Sequence, residues 1–311
     1  MSENCRKIIL FGAGKIGRQA LDFYGADQVA YFCDNNPALA GSEVSGKKVI
    51  DFAALEKLWK DYRVVLAVGV TASIPIVQQL RAHGIAFSFF RDEEAEGKTG
   101  NKEIFSHIYA ENLWGGGVQW YSGSGSHDEK ITRPYIELLS NLIKNNDISS
   151  IVDIGCGDFY IMQQVLQNCP EVDHYVGIDV VDGLVARNQE KFGTERIQFV
   201  ALDASDDRVE LPHAELCIVR QVLQHLDNAA ISRVVTKLRS FRYVLVTEHI
   251  YEGEGVIYNL DKPANGDIRL SRLSGVYLEK PPYNLPLIHL LKCKQLGGVI
   301  RTSIFRNDVW K

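Results

Sequence analysis

Two short glycine stretches, FGAGKIG at residues 11–17 and VDIGCGDF at residues 152–159, set the limits on what this chain can become. Each follows an apolar run of strand length, CRKIIL before the first and SSIV before the second, and each opens into a helical period. A strand that passes through a glycine turn into a helix is half of a parallel crossover, because parallel strands need a connection long enough to hold a helix. Two such turns predict two parallel sheets. With 311 residues and 46% hydrophobic content, the chain is long enough for each sheet to bury its own core.

The periodicity around the turns agrees. From residue 6 to about 91, strand-like runs (KIILFG, VAYFC, RVVLAVG, AFSFF) alternate with helical periods (IGRQALDFYG, FAALEKLWKDY, IPIVQQLRAHG), with a polar loop after VAYFC. The stretch RDEEAEGKTGNKE is charged, contains glycine and lacks an apolar period, so it reads as a linker. A second series follows: PYIELLSNLIKNN, SSIVDIG, YIMQQVLQNC, HYVGIDV, IQFVALD, LCIVRQV, AAISRVVTKLRS and YVLVTEHI. The tail ends in GGVIRTSIFRND, an expected antiparallel closing strand. The expected fold class is α/β, with two Rossmann-like domains, each a mainly parallel sheet flanked by helices, at residues 1–92 and 104–311, joined by a linker at 93–103.

In the first turn Gly12 permits the tight bend, Gly14 lets backbone approach a pyrophosphate, and Gly17 lets helix pack on strand. Asp34 closes QVAYFCD about 20 residues further on, where a ribose-binding carboxylate would lie. The expected ligand is a nucleotide or NAD-like molecule touching Gly12, Gly14, Lys15, Ile16, Gly17 and Asp34. The segment GAGKIGRQAL…FCDNNPALAGSEVSGKKVI resembles the small nucleotide-binding modules fused to bacterial sugar-modifying and polysaccharide-biosynthetic enzymes. No hydride-transfer constellation follows it. Binding without redox turnover is therefore the expectation, and an NAD(P)-dependent oxidoreductase the alternative.

The second turn has different chemistry. Gly155 and Gly157 allow close backbone approach, but Asp153 and Asp158 would repel a pyrophosphate and suit a ligand carrying a sulfonium and an ammonium. Asp179 closes YVGID and Asp203 closes FVALD, which places acids along the carboxyl edge of the sheet, where open α/β sheets bind ligands. Capping of the following helices is the alternative role for Asp179 and Asp203. VDIGCGDF resembles the first motif of class I S-adenosylmethionine-dependent methyltransferases, and the resemblance extends over roughly residues 104–311. It implies a class I methyltransferase fold and S-adenosylmethionine held by Asp153, Gly155, Cys156, Gly157, Asp158, Asp179, Val180, Asp203 and Ala204. In that likeness Asp179 takes the ribose hydroxyls and Asp203 the adenine amino group. IVRQVLQHLDN then puts Arg220 and Gln221 at the pocket rim. FSHIYAENLWGGGVQWYSGSGSH resembles the opening segment of bacterial enzymes of this type, in which an aromatic, Ser/Gly-rich loop folds over the cofactor. Trp114, Trp120 and Tyr121 distinguish it from a free linker.

Methyl transfer from a sulfonium is an in-line displacement, and a hydroxyl acceptor must also lose a proton. VTEHIY ends a strand at the ligand edge, so His249 is expected as general base, with Glu248 beside it and Tyr160 just after the glycine turn. His225 lies in a helical segment where packing is equally natural. The tail segment NLDKPANGDIRLSRLSGVYLEKPPYN resembles the acceptor-side insertion of polysaccharide-locus methyltransferases. Arg269 and Arg272 within it, with Arg220 and Tyr121, are expected to bind a phosphorylated or carboxylated acceptor. A surface ion pair is the alternative for the two tail arginines. The expected activity is O-methylation of a sugar, nucleotide-sugar or phosphorylated precursor in bacterial surface-polysaccharide biosynthesis. A non-catalytic nucleotide- or S-adenosylmethionine-binding scaffold is the alternative, against which the intact acids argue.

A net charge of −5 gives no broad basic surface and argues against nucleic acid as partner. No apolar run reaches the roughly 18 to 20 residues of a membrane span, and MSENCRK lacks the apolar core of a secretion signal, so the expected location is the cytoplasm. Cysteines at 5, 33, 156, 169, 217 and 293 form no CxxC pair, which predicts reduced thiols and no metal site.

Overall fold

The computed structural model describes residues 6–95 and 100–307. They fall into two compact units, residues 6–95 with Ser271–Leu273, and residues 100–270 with 274–307.

The first unit runs β1 (Ile8–Phe11), α1 (Lys15–Tyr24), β2 (Val29–Cys33), β3 (Glu43–Val44), β4 (Lys47–Ile50), α2 (Phe52–Leu58), β5 (Arg63–Leu66), α3 (Val70–Ala82), β6 (Ser88–Phe89) and α4 (Phe90–Ala95). Its sheet has the order β3-β4-β2-β1-β5-β6, parallel except for the β3–β4 pair. Every residue of β1 is buried, as expected of a central parallel strand covered on both faces. Phe11 pairs with both Cys33 and Leu66, so the first glycine turn, Asp34 and Ala67 stand level at the carboxyl edge. The expected polar loop contains the β3–β4 hairpin, turning on Ser45 and Gly46, both at positive φ, the geometry of a two-residue hairpin turn.

The second unit runs α5 (Asn101–Ala110), α6 (Glu129–Asn145), β7 (Ser150–Ile154), α7 (Tyr160–Asn168), β8 (His174–Asp179), α8 (Asp182–Phe192), β9 (Ile197–Ala201), β10 (Leu216–Arg220), α9 (Asn228–Leu238), β11 (Tyr243–Ile250), β12 (Ile257–Tyr258), β13 (Ser274–Gly275), β14 (Ile288–Gln295) and β15 (Gly298–Arg306). Its main sheet is ordered β14-β15-β11-β10-β7-β8-β9, with β15 antiparallel to both neighbours. Alternation along the strands divides the core. Val152, Cys217 and Val244 pack with α5 and α9 on one face, and Ile151, Ile218 and Leu245 with α6 and α7 on the other. The chain leaves β7 toward β8 and β9, then returns to β10 on the opposite side. The switch point between β7 and β10 is where such a sheet opens a ligand crevice.

The stretch read as a linker is helical at both ends, in α4 and at the start of α5, and residues 96–99 between them lie outside the described residues. β15 is the antiparallel closing strand. Its partner β14 and the helix α8 carried no expectation. Cys33, Cys156, Cys169, Cys217 and Cys293 are free thiols, and Cys5 lies outside the described residues.

Candidate functional site

The second glycine turn leaves β7 at the switch point. The N–H groups of Gly155 and Cys156 both donate to the Ile178 carbonyl, at 2.7 and 3.0 Å, which ties the turn to β8. Gly157 holds φ +55°, and a Cβ there would stand 2.5 Å from the Ser122 hydroxyl. The glycine is therefore required by a protein neighbour before any ligand is considered. Asp179 ends β8 with its carboxylate accepting from Gly157 N–H at 3.2 Å and Val181 N–H at 3.1 Å. It thus caps its own loop and braces the turn, while the remaining lone pairs of its oxygens stay available for two hydroxyls. Burial raises its pKa to about 6, against the opposing pull of those N–H donors.

Asp153 lies behind the turn, 4% exposed, where burial raises its pKa to about 7. Its Oδ2 accepts from the Tyr175 hydroxyl at 2.8 Å, and its Oδ1 accepts no hydrogen bond among the described residues. Burial pushes the neighbouring Cys156 thiol well above its ordinary value, so that thiol stays protonated. Across the switch point Arg220 ends β10. Its guanidinium donates to the Gly125 carbonyl at 2.8 Å and the Ser126 hydroxyl at 3.3 Å, and lies 5.0 Å from the Tyr135 ring. The Arg220 Nε is buried without a partner, and no carboxylate stands within ion-pair distance of it among the described residues. Gln221 follows at φ +56°, its N–H bonded to the Thr247 carbonyl at 2.6 Å, a strained backbone of the kind that collects at functional sites.

Asp203 follows β9. Its Oδ1 accepts from the Ser205 N–H at 2.8 Å and hydroxyl at 2.7 Å, and its Oδ2 from the Asn101 amide at 3.1 Å. Val180 is half-buried against the core and Ala204 is buried. Asp158 joins the turn to the segment between α5 and α6. It accepts from Ser122 N–H at 3.1 Å and from Tyr160 N–H at 3.2 Å, and its own N–H donates to the Ser122 hydroxyl at 2.9 Å. The His127 Nε2 stands 2.6 Å from the same carboxylate. The His127 ring is flanked by Tyr121, 4.5 Å away and stacked, and by Tyr160, 4.4 Å away. The aromatic, Ser/Gly-rich segment thus crosses the carboxyl edge from the glycine turn to Arg220.

Several expected roles are corrected. His249 is 3% exposed and its Nε2 is bonded to the Gln295 carbonyl at 2.9 Å, so the ring stitches β11 to the β14–β15 hairpin and is not presented to an acceptor. Burial also lowers its pKa. Both carboxylate oxygens of Glu248 are taken by the N–H groups of Leu223 and Gln224, at 3.0 and 2.9 Å. Arg269 is fully buried and donates to the carbonyls of Leu260, Leu223, Gln224 and Leu226 and to the Asn228 amide oxygen. Its fork organises the loop after β10 and has no face for an acceptor. Arg272 belongs with the first unit, pairs there with Asp92 at 2.5 Å and lies over the Phe89 ring at 4.0 Å. His225 packs beside Trp114, 5.2 Å between rings, and burial lowers its pKa to about 3. Tyr160 remains at the site as a ring against His127, 36% exposed. Ser122, His127, Asn101 and Tyr135 also stand at the site, and Ser122, Asn101 and Tyr135 have no local signal in the sequence. Only His127 carried a signal, as the residue closing SGSGSH.

In the first unit Asp34 accepts from Ala13 N–H and Asn36 N–H, both at 2.9 Å, and so closes the glycine turn onto the end of β2. Gly14 caps α1, Lys15 is exposed in its first turn, and Ile16 packs on the core. Gly12 takes φ +114°, and a Cβ on Gly17 would collide with the Gly12 carbonyl, which accounts for both glycines by backbone packing.

Residues 151–241 match the family described as "Methyltransferase domain". The chain carries a methyltransferase domain. The matched residues span β7 to the end of α9, which includes the glycine turn, Asp179, Asp203 and Arg220. Around them the second unit has a class I methyltransferase fold, and the protein is a methyltransferase. Solved structures similar to the chain include the methyltransferase domain of bacterial CtHen1 (15% identity, 55% of this chain and 97% of that one, TM-score 0.40). Others are the N-methyltransferase NodS from Bradyrhizobium japonicum WM9 (16%, 58% and 97%, 0.39) and the 1,6-didemethyltoxoflavin-N1-methyltransferase from Burkholderia thailandensis (15%, 66% and 86%, 0.42). No curated protein matches the sequence. Among the described residues no helix is long and apolar enough to cross a membrane, and no group of His, Cys, Asp and Glu could hold a metal.

Proposed function

We propose that the methyltransferase domain uses S-adenosylmethionine, held across the switch point between β7 and β10. The observation that carries this is a buried carboxylate and a half-buried guanidinium that form no ion pair with each other: Asp153 with an oxygen that accepts no hydrogen bond among the described residues, and Arg220 with a buried Nε without a partner and no carboxylate. Burying such groups unpaired is costly, and a zwitterionic ligand offsets both costs at once, its ammonium facing Asp153 and its carboxylate facing Arg220. Asp179 is suited to the ribose hydroxyls and Asp203 to the adenine amino group, with Gly155, Cys156, Gly157, Asp158, Val180, Ala204 and Gln221 lining the cradle. Bound there, the cofactor supplies the electrophilic methyl group. The chain's own part is to hold the acceptor in line and exclude water beneath the 111–128 segment.

The proposed acceptor is a hydroxyl of a sugar, nucleotide-sugar or phosphorylated precursor of a bacterial surface polysaccharide, in the cytoplasm. This reading rests on the resemblance of the first unit to modules of polysaccharide enzymes, and that unit is proposed to bind a nucleotide through Gly12, Gly14, Lys15, Ile16, Gly17 and Asp34. The test is calorimetric titration of S-adenosylhomocysteine, followed by transfer of a tritiated methyl group from S-adenosylmethionine to UDP-, GDP- and TDP-hexoses. Failure of S-adenosylhomocysteine to bind overturns the cofactor reading. Methyl transfer to nitrogen or carbon overturns the O-methylation, and hexose-dependent oxidation of reduced nicotinamide by the whole chain would establish the oxidoreductase reading of the first unit.

A further inference from the structure

The segment between α5 and α6 is held over the carboxyl edge by unequal contacts. Its backbone takes left-handed positions at Gly115, Gly116, Gly117 and Gly123, where glycine lets the chain change path at little steric cost, and holds Trp120 at φ +68°, a strained position for a side chain of that size. Four attachments fix the observed path. The Trp114 indole donates to the Gly266 carbonyl at 3.1 Å, the Trp120 ring covers Gly183 at the start of α8, Arg220 holds Gly125 and Ser126, and Asp158 holds Ser122 and His127. The last attachment differs from the others. Asp158 belongs to the glycine turn itself, accepts from the segment at two points, and is answered by the Ser122 hydroxyl accepting the Asp158 N–H at 2.9 Å. The Tyr109 hydroxyl lies 3.1 Å from the Ser122 hydroxyl and joins α5 to the same knot. The imidazole is clamped between Tyr121 from the segment and Tyr160 from α7, so its ring plane is set by both sides of the crevice.

We infer that His127 and Asp158 are positioning residues that latch the 111–128 segment onto the glycine turn and thereby set how long the cofactor stays in its crevice. This rests on the cofactor reading above, since the crevice beneath the segment is where that reading places the ligand. A ligand held under the latch leaves only when the Asp158 contacts to Ser122 and His127 break together. Arg220 then acts as the second anchor, and the tryptophans as the apolar seal.

The experiment measures S-adenosylhomocysteine release by stopped flow, using the fluorescence of Trp114 and Trp120, in the wild-type full chain and in His127→Ala, His127→Gln and Asp158→Asn. Loss of a charge-assisted hydrogen bond should raise the dissociation rate of His127→Ala about 10- to 100-fold while the thermal midpoint shifts little. His127→Gln, whose amide can reach the same carboxylate, should recover most of the wild-type residence time. A merely structural role predicts the reverse, with a lowered midpoint, unchanged dissociation and no recovery by Gln, and that result overturns the latch. Hydrogen exchange on the ligand-free protein gives a test independent of cofactor binding. Amides of Ser122, Ser126 and His127 should exchange faster in His127→Ala and Asp158→Asn than in wild type, and equal rates overturn the latch. If S-adenosylhomocysteine fails to bind wild type but the exchange difference is present, the cofactor reading falls and the latch stands.

Discussion

Replacing Asp179 with Asn should make the methyltransferase domain bind its cofactor more weakly and yet fold more stably. The carboxylate accepts from Gly157 and Val181 but lies 8% exposed, and its pKa rises from 3.8 to about 6 because burial outweighs those donors. At pH 8 the folded state carries a charge that the unfolded chain holds more easily, and a difference of that size is worth about 3 kcal/mol against folding. Asparagine removes that cost but turns an NH2 toward one of the two backbone N–H groups that the carboxylate accepts, which costs about 1 to 3 kcal/mol, so Asp179→Asn should be more stable by at most about 2 kcal/mol at pH 8. The same change turns one acceptor for a ribose hydroxyl into a donor, which should weaken S-adenosylhomocysteine binding by about 1.5 to 3 kcal/mol, or roughly 10- to 150-fold. For the wild type the sign with pH follows, since the group is ionised above about 6 and affinity should fall as pH drops through that value. Calorimetric titration at pH 5 and pH 8, with scanning calorimetry of the ligand-free protein, measures both effects. An Asn variant that unfolds earlier than wild type at pH 8, or that binds S-adenosylhomocysteine equally well, refutes the assignment of Asp179 as a buried ionised acceptor.

Arg269→Met should destabilise the second unit by about 3 to 5 kcal/mol, because it strips a buried fork from several carbonyls, and it should leave the first unit's unfolding transition in place. An unchanged second transition in calorimetry would return that arginine to the acceptor. His249→Ala should lower stability by about 1 to 3 kcal/mol through loss of its bond to the Gln295 carbonyl, with S-adenosylhomocysteine affinity unaltered by titration. Lowering pH from 8 to about 6.5 should raise the midpoint of the second unit. Asp153 and Glu248, raised to about 7, take up protons in the folded state while the unfolded chain does not. Below about 6.5 Asp179, raised to about 6, takes up a further proton in the fold, so the gain should continue, reduced but not cancelled by His225, which is held neutral with its pKa lowered to about 3 and charges only on unfolding.

The fold was legible because its signals are local. Each glycine turn sits between a run of buried aliphatics and an amphipathic helix, and three to five such repeats in succession admit little besides a parallel sheet. The missed elements lacked that local signal. β3 and β4 pair over only two residues, Glu43↔Lys48 and Val44↔Lys47, and three of those four side chains are charged. β14 reads IHLLKCKQ and is largely exposed along an edge, so its register is set by β15 alone. Within the site, Gly155, Gly157, Asp179 and Asp203 were legible for the same reason, being fixed to the ends of strands whose apolar runs are plain.

What the sequence leaves open is the assignment of charge to fold or to ligand, and the three arginines show why. Arg220, Arg269 and Arg272 each stand at a junction between elements, and nothing in their neighbours along the chain separates them. Their partners come from far away in sequence. Arg269 meets carbonyls of the loop after β10, Arg272 meets Asp92, and Arg220 meets the backbone at Gly125 and the hydroxyl of Ser126. Arg269 is spent on carbonyls, and Arg272 is paired with a carboxylate over an aromatic ring, although its Nε is buried without a partner. Arg220 also keeps a buried Nε without a partner, but no carboxylate stands within ion-pair distance of it among the described residues, and nearby Asp153 keeps an oxygen that accepts no hydrogen bond there. A guanidinium and a carboxylate held at one crevice without an ion pair leave part of their desolvation cost for a ligand to offset. For the same reason Arg220→Met, which also gives up the bonds to Gly125 and Ser126, should lose affinity for S-adenosylhomocysteine but not for 5′-methylthioadenosine, which lacks the amino-acid end. Equal losses for the two ligands, measured by titration calorimetry, would remove the carboxylate from Arg220 and with it the zwitterion as the ligand that this crevice is built to hold.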